Sequence, residues 1–194
     1  MSREPIVHAV AGMAFGFGLG YLVASARAPE VPPPVTPSAT SASPLAAPKA
    51  PIDANEARAL ESVAARDKAN VSVRAKLGHL YTEAGQWDKA ARWYREAVAL
   101  RREPEVIVDL GTALLRGGRP TEGLAEFERA LTLAPGHKRA SFNKGLALME
   151  LGRQESAADL WEDLLGRFPD DPELQAVKPR IEAVRARARA RTLP

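Results

Sequence analysis

The side chains that most often catalyse reactions or bind metals are sparse in this sequence of 194 residues. It contains no cysteine, and its three histidines, His8, His79 and His137, lie far apart in the chain. Disulfides, thiolate chemistry and cysteine-ligated metal centres are therefore excluded, because each of them needs a cysteine sulfur. The wide spacing of the histidines also argues against a histidine-rich metal site.

Neighbouring carboxylates are the remaining candidates for acid–base chemistry. Glu162 and Asp163 are adjacent in sequence, as are Asp170 and Asp171. Both pairs fall at the predicted ends of helices or in turns, where carboxylates commonly cap helices or face water. The sequence also lacks a nucleophile–base signature, a phosphate-binding loop and a calcium loop. We therefore predict a protein that is not an enzyme and that needs no metal or cofactor.

The distribution of charge argues against binding to nucleic acid. The formal net charge is +3, but residues 53–177 carry more aspartate and glutamate than lysine and arginine. The basic excess is concentrated in residues 178–191. A nucleic-acid-binding domain normally presents a basic face on its folded body. We therefore expect no nucleic-acid partner.

An apolar segment near the start of the chain predicts a membrane anchor. Residues 6–26 are uncharged and mostly apolar, and a helix of this length spans about 32 Å, close to the thickness of a bilayer core. The alternative is a cleaved signal peptide, since Ala24-Ser25-Ala26 resembles a cleavage site. The long apolar run and the nearly neutral start favour an uncleaved transmembrane signal anchor over residues 1–27. A Pro/Ala-rich linker follows over residues 28–52.

Small residues recur at every fourth position of the predicted anchor. Gly12, Gly16 and Gly20 would form a flat stripe on a helix, which a second helix could approach closely. One hypothesis is therefore homodimerisation, or docking to a partner helix, through the membrane segment. The other is that the glycines reflect their general abundance in membrane helices.

The rest of the chain contains an internal repeat of 33 to 34 residues. Two sets of glycines, one set of aromatic residues and one set of small residues follow this period: Gly78, Gly111 and Gly145; Gly85, Gly118 and Gly152; Tyr94, Phe127 and Trp161; Ala90, Gly123 and Ala157. Apolar spacing within each unit predicts two helices, with the second glycine ending the first helix. Because glycine is unfavourable inside a helix, the recurrence at Gly78 predicts close contact between the backbones of paired helices. The aromatic and small residues predict a complementary fit between neighbouring units.

This pattern resembles the tetratricopeptide repeat, a helix-pair motif with Leu-Gly-x-x-Tyr in its first helix. Residues 77–98, LGHLYTEAGQWDKAARWYREAV, carry the resemblance most clearly. It implies an all-α solenoid of three repeats over residues 71–171, with a capping helix in 53–70. A second capping helix and a basic tail are expected in 172–194.

The two predicted capping helices each show a narrow apolar face. In the first, this face comprises Ala57, Leu60, Val63 and Ala64. In the second we expect an interruption at Pro179, followed by an apolar stripe of Ile181, Val184 and Ala188. The arginines beyond, at 185, 187, 189 and 191, are expected in a frayed, solvated tail. The alternative is contact with anionic lipids or an acidic partner.

The family resemblance also implies a binding groove lined by the first helix of each repeat. The residues expected there, projecting away from the packed face, are His79, Thr82, Val108, Thr112, Leu115, Phe142, Leu146 and Met149. This surface changes from mixed to apolar along the repeats and suits an amphipathic helix or extended segment, with Phe142 and Met149 as anchors. The alternative is that these residues pack against the C-terminal capping helix. Members that clamp a peptide carboxylate use lysine and asparagine here. Ala75 and His79 occupy the first of those positions, which argues against that role.

The order of elements further resembles the tetratricopeptide portions of bacterial c-type cytochrome biogenesis proteins. That resemblance implies a single-pass protein of the bacterial inner membrane with a periplasmic domain, which binds apocytochrome c. One alternative is a general cell-envelope scaffold for a pilus, a secretion system or cell-wall machinery. Another is an anchored protein that faces the cytosol.

Overall fold

The structure is a computed structural model that describes residues 52–192. Its helices are α1 (Ala54–Arg66), α2 (Val71–Glu83), α3 (Trp87–Leu100), α4 (Pro104–Arg116), α5 (Pro120–Leu133), α6 (Lys138–Glu150), α7 (Gln154–Arg167) and α8 (Pro172–Thr192). Each helix packs against the next one in the chain, and α4 also contacts α6 directly. A solenoid typically shows this pattern, because each of its repeats contacts only the repeats next to it in the chain. The described part of the chain is therefore an all-α solenoid built from the helix pairs α2–α3, α4–α5 and α6–α7.

The turn inside each helix pair has the same geometry three times. Gly85, Gly118 and Gly152 follow the first helices with φ of 69°, 75° and 74°, a left-handed conformation that glycine adopts without steric cost. In the first turn, the Gln86 amide donates to the Tyr81 carbonyl at 2.8 Å, and the Gly85 amide donates to Thr82 at 3.0 Å. These two bonds define a Schellman motif. The glycine column at 85, 118 and 152 therefore fixes where the chain reverses.

The other glycine column accommodates the largest side chains of the core. A Cβ atom added to Gly78, Gly111 or Gly145 would lie 2.4, 2.6 or 2.2 Å from the ring of Tyr94, Phe127 or Trp161, respectively. These rings are almost completely buried. A ring from the second helix of the same repeat fills the space where a side chain would lie, so glycine at these positions makes room for the ring. The fit of these rings against the glycines is therefore within one repeat, and the predicted fit between neighbouring units stays a prediction.

The backbones of paired helices also approach closely, as predicted for this glycine column, where Gly111 meets Gly123. A Cβ atom at this position would lie 2.8 Å from the carbonyl oxygen of Gly111. The equivalent positions in the other repeats hold alanines, Ala90 and Ala157, which are fully buried. We infer that the α4–α5 pair approaches too closely at this point for a methyl group.

The first and last helices cap the solenoid. In α1, Ala57 and Ala64 are buried and Leu60 is partly buried, but Val63 is 42% exposed, so its predicted place on the inner face is wrong. In α8, the buried side chains are Leu174, Val177, Ile181 and Val184. Their spacing of three and four residues forms one stripe against α7.

Helix α8 differs from the sequence prediction at two points. Pro179 does not interrupt it, because the helix runs through this residue to Thr192. The arginines are also not simply solvated: Arg185 donates to Glu162 at 3.0 and 2.6 Å and to Asp159 at 2.6 Å, and Arg191 pairs with Glu155. These acidic residues lie one turn apart along α7. The end of α8 is therefore held to α7 by charge.

The predictions for the first part of the chain lie outside the described residues. They comprise the transmembrane segment, its glycines Gly12, Gly16 and Gly20, and the linker up to residue 51. Between residues 52 and 192, none of the helices combines the length and the apolar character needed to cross a bilayer.

Candidate peptide-binding surface

The first helices α2, α4 and α6 form a shared surface, which we call the first-helix surface. Contacts across it join α2 to α4 and α4 to α6. The predicted residues that reach this surface in the structure are His79, which is exposed, and six partly buried residues: Thr82, Thr112, Leu115, Phe142, Leu146 and Met149. They therefore retain area for a ligand.

Val108 does not reach the surface. Its side chain is 0% exposed, and it belongs to the core cluster. Phe142 occupies the same position one repeat later and remains partly exposed. The structure therefore removes Val108 from the predicted groove and leaves Phe142 as a candidate contact.

The apolar part of the surface is concentrated on α6. Phe142, Leu146 and Met149 are separated by four and three residues, so they follow one face of this helix. All three pack against the core while keeping part of their surface exposed. Leu115 on α4 adds to this area from the neighbouring repeat. These four residues are therefore the apolar candidates for contact with a bound segment.

The part of the surface near α2 is polar. His79 Nδ1 lies 2.9 Å from the hydroxyl of Tyr94, the ring that fills the space at Gly78. The Thr82 hydroxyl donates to the Gly78 carbonyl at 2.8 Å. Burial raises the pKa of Tyr94 well above its usual value, so the phenol stays protonated and can act as a donor to His79. These contacts fix the histidine ring against the first repeat.

A charged network extends from His79 across all three first helices. His79 Nε2 lies 3.7 Å from Asp109 Oδ2, and Arg139 donates to Asp109 Oδ1 and Glu105 Oε2, both at 2.7 Å. His137 Nε2 lies 3.0 Å from Glu105 Oε1. We call these five residues the polar network. It connects α2, α4 and the start of α6.

A second polar contact joins α4 to α6 beside the network. Asn143 Nδ2 donates to the Thr112 hydroxyl at 3.0 Å, and that hydroxyl donates to the Val108 carbonyl at 2.8 Å. Because the single hydroxyl proton is used in this way, Thr112 must accept from Asn143. Thr112 therefore helps to hold the first helices together, in addition to its predicted place on their surface.

Glu105, Asp109, Arg139 and Asn143 were not among the predicted surface residues. A signal for them exists in the repeat register, because Glu105 and Arg139 occupy the same position in successive repeats, as do Asp109 and Asn143. Opposite charges at equivalent positions of stacked repeats are expected to lie near each other. The predicted gradient towards an apolar surface is therefore incomplete, since a charged network lies beside the apolar residues.

The ionisation of Arg139 and Glu105 is coupled. Partial burial opposes the charge of Arg139, but Asp109 and Glu105 more than offset it, so the pKa of Arg139 is raised. The hydrogen bond from Arg139 lowers the pKa of Glu105, against the opposing effect of burial, and His137 lowers it further. Both groups are therefore charged in the folded protein at neutral pH.

This coupling predicts an acid-sensitive contribution to stability. A carboxylate whose folded pKa is depressed stabilises the fold above its unfolded pKa and loses that contribution as the pH falls through its folded pKa. We expect the melting temperature to fall less steeply below about pH 4.5 in Glu105→Gln than in the parent protein. In an Arg139→Gln background, Glu105→Gln should change the slope less, because only the contact of Glu105 with His137 remains. Equal slopes in the parent and Glu105→Gln proteins would contradict the role of this pair.

Within residues 52–192, no group of three or more histidine, cysteine, aspartate or glutamate side chains is arranged to hold a metal ion. The geometry of the described surface instead combines apolar area with a fixed polar network. Such an arrangement can position a peptide through side-chain contacts, as concave sites with a few placed polar groups do.

Comparison with known proteins places this geometry in a family. Two family models described as tetratricopeptide repeat match residues 74–108 and 108–172. The cytochrome c-type biogenesis protein CycH of Bradyrhizobium diazoefficiens is 37% identical over 99 residues, covering 49% of this chain and 27% of CycH. The present chain thus matches about a quarter of that relative's length.

Solved structures show the same fold at lower sequence identity. The first repeat domain of Spaghetti (RPAP3), bound to the HSP90 peptide SRMEEVD, aligns with a TM-score of 0.57 at 21% identity, covering 62% of this chain and 96% of that one. YrrB, a repeat protein with an unusual peptide-binding site, aligns with a TM-score of 0.52 at 22% identity, covering 59% and 62%. The repeat period, the helix pairs and the matching family models together show that this chain belongs to the tetratricopeptide repeat family.

Proposed function

We propose that this protein is a membrane-anchored scaffold that holds a segment of apocytochrome c during c-type cytochrome biogenesis. The observation that supports it most directly is the partly exposed apolar area of Leu115, Phe142, Leu146 and Met149 on the first-helix surface. An amphipathic helix could bury its apolar face there. The name of the CycH relative supports cytochrome c biogenesis as the setting.

The proposal assigns no catalytic step to the chain. A scaffold needs a rigid surface and an accessible partner, and the polar network together with the capping helices would provide the rigidity. The apolar residues 6–26 would anchor the protein in the bacterial inner membrane with the repeats in the periplasm. Residues 28–51 are rich in proline and alanine and would act as a semi-rigid spacer.

The test compares the two forms of the same cytochrome. We expect the full-length protein, purified in detergent, to bind the apocytochrome c and its C-terminal helix peptide, and not the mature haem-containing form, because a folded protein buries the apolar faces of its helices. Isothermal titration calorimetry gives the affinity for each. Equal binding of both forms would contradict a role in holding the apoprotein. Recovery with a pilus, secretion or cell-wall complex, together with no apocytochrome binding, would favour a general envelope scaffold.

A further inference from the structure

The guanidinium of Arg139 is already occupied by the protein's own carboxylates. Its two terminal nitrogens donate separately to Asp109 and Glu105, both at 2.7 Å. These acids lie four residues apart on α4, so one turn of helix presents them side by side to Arg139 at the start of α6. The side chain of Asp109 is only 13% exposed. The contact is therefore built from geometry that two different helices fix.

Arginine is the side chain best suited to hold a carboxylate, because its planar group offers parallel donors. In this structure each terminal nitrogen of Arg139 already donates a hydrogen bond to a carboxylate of the protein. Two carboxylates beside one guanidinium also leave an excess of one negative charge at that point. A ligand carboxylate approaching Arg139 would find only the remaining N–H groups of the guanidinium and would meet repulsion from both acids.

Other cations of α6 are engaged in the same manner. Lys138 pairs with Asp171, and Lys144 lies 3.0 Å from Glu128. The apolar residues Phe142, Leu146 and Met149 lie on the same helix between and beyond these pairs. What α6 offers to a ligand is therefore mainly apolar area.

From this arrangement we infer that Asp109 and Glu105 mask Arg139, so that the first-helix surface selects a segment by its apolar side chains and does not read a free carboxyl terminus. The inference rests on the proposed function and specifies its ligand. The protein would recognise the apolar face of a segment, and the segment need not lie at the carboxyl terminus of the partner. Removing the two negative charges should expose a carboxylate site that the native protein lacks.

The binding test uses one peptide in two forms. The C-terminal helix peptide of an apocytochrome c is prepared with a free carboxylate and with a terminal amide, and each is titrated into the full-length protein. We expect the two affinities to agree within about twofold for the parent. In Asp109→Asn/Glu105→Gln, the free acid should bind about tenfold more tightly than the amide, because a charge-assisted hydrogen bond becomes available. Adding Arg139→Gln should abolish that preference.

Two results of this titration would overturn the inference. One is a clear preference of the parent protein for the free acid that Arg139→Gln removes. The other is equal affinity for both peptides in the double variant, provided that its circular dichroism shows an unchanged helical fold. Both substitutions are nearly isosteric, so the polar network loses charge with little change of shape.

A second measurement does not depend on any peptide. Arylglyoxal reagents modify accessible, unpaired guanidinium groups, and mass spectrometry identifies the modified arginines. We expect Arg139 to react about tenfold more slowly than the exposed Arg102 in the parent, and at a similar rate once both acids are neutralised. If neither peptide binds the parent, the proposed function fails, and this measurement still decides the masking. Labelling of Arg139 in the parent protein as rapid as that of Arg102 would overturn the inference that Arg139 is masked.

Discussion

Replacing Gly145 with alanine is expected to destabilise the third repeat. The loss should be larger than that caused by adding a methyl group at a surface position. The new Cβ atom would lie 2.2 Å from Trp161 Nε1 and 2.5 Å from the neighbouring ring carbon. The indole is fully buried, so it has no free space to move into. Its Nε1 also donates to the Phe142 carbonyl at 3.2 Å, a bond that any shift of the ring would weaken.

The magnitude follows from two destabilising effects and one stabilising effect. Overpacking of a tight core costs about 1–3 kcal/mol, and a weakened buried hydrogen bond costs about 1 kcal/mol more. Alanine is favoured over glycine inside a helix by up to about 1 kcal/mol. We therefore expect a net loss of about 2 kcal/mol in the free energy of unfolding, measured by urea denaturation followed by circular dichroism.

A matched glycine provides the control. Gly166 lies inside α7, and a Cβ atom added there meets no atom within 4 Å. Gly166→Ala should therefore raise the free energy of unfolding by up to about 1 kcal/mol, through helix propensity alone. A double-mutant cycle combining Gly145→Ala with Trp161→Leu should show strong coupling, because the smaller side chain makes room for the methyl group. A neutral effect of Gly145→Ala would remove the steric explanation for the glycine column.

The architecture was predictable because each repeat carries its own local signals. Glycine at 85, 118 and 152 ends a first helix, and Pro104 and Pro120 begin helices at a position where proline is favoured. These local signals do not determine which residues of different helices are in contact. The period shows that Gly78 and Tyr94 recur together, but only the packed structure places the ring against the glycine of its own repeat.

The candidate surface was harder to predict than the fold. Helical spacing shows which way a side chain points, and Val108 and Phe142 point in equivalent directions. Their exposure differs because it also depends on residues from other helices that lie across them, which a single helix pattern does not contain. The polar network escaped prediction for the same reason: Arg139 acquires its partners only when α4 and α6 are adjacent.

The basic end of the chain shows a similar limit. Alternate arginines distribute around a helix and suggest a solvated tail. The acidic residues Asp159 and Glu162 belong to a different predicted helix, so their pairing with Arg185 depends on how α8 packs on α7. Those pairs raise the pKa of Arg185 and lower that of Glu162. Charge in this region therefore contributes to the cap of the solenoid.

The double substitution Phe142→Ala/Met149→Ala is expected to reduce affinity for the apocytochrome peptide by at least about thirtyfold, measured by calorimetry. Apolar and aromatic anchors that become desolvated on binding commonly contribute 2 kcal/mol or more, which corresponds to that factor. The matched control is Leu100→Ala/Leu133→Ala. These leucines are 45% and 50% exposed, but they end the second helices α3 and α5 and do not lie on the first-helix surface.

The difference between the two double variants separates binding from general loss of apolar surface. If Phe142 and Met149 serve only to pack the third repeat, their removal should lower stability and leave affinity unchanged under conditions where the variant is folded. Phe142 does contact the core, with its ring centroid 6.1 Å from that of Trp161, so some loss of stability is expected in either case. Phe142→Leu keeps much of that packing while altering the exposed ring, and it should weaken binding less than the double variant. Two results together would identify α6 as the ligand-binding helix. Affinity should fall in proportion to the exposed area removed from Phe142 and Met149, and it should not fall in the leucine control.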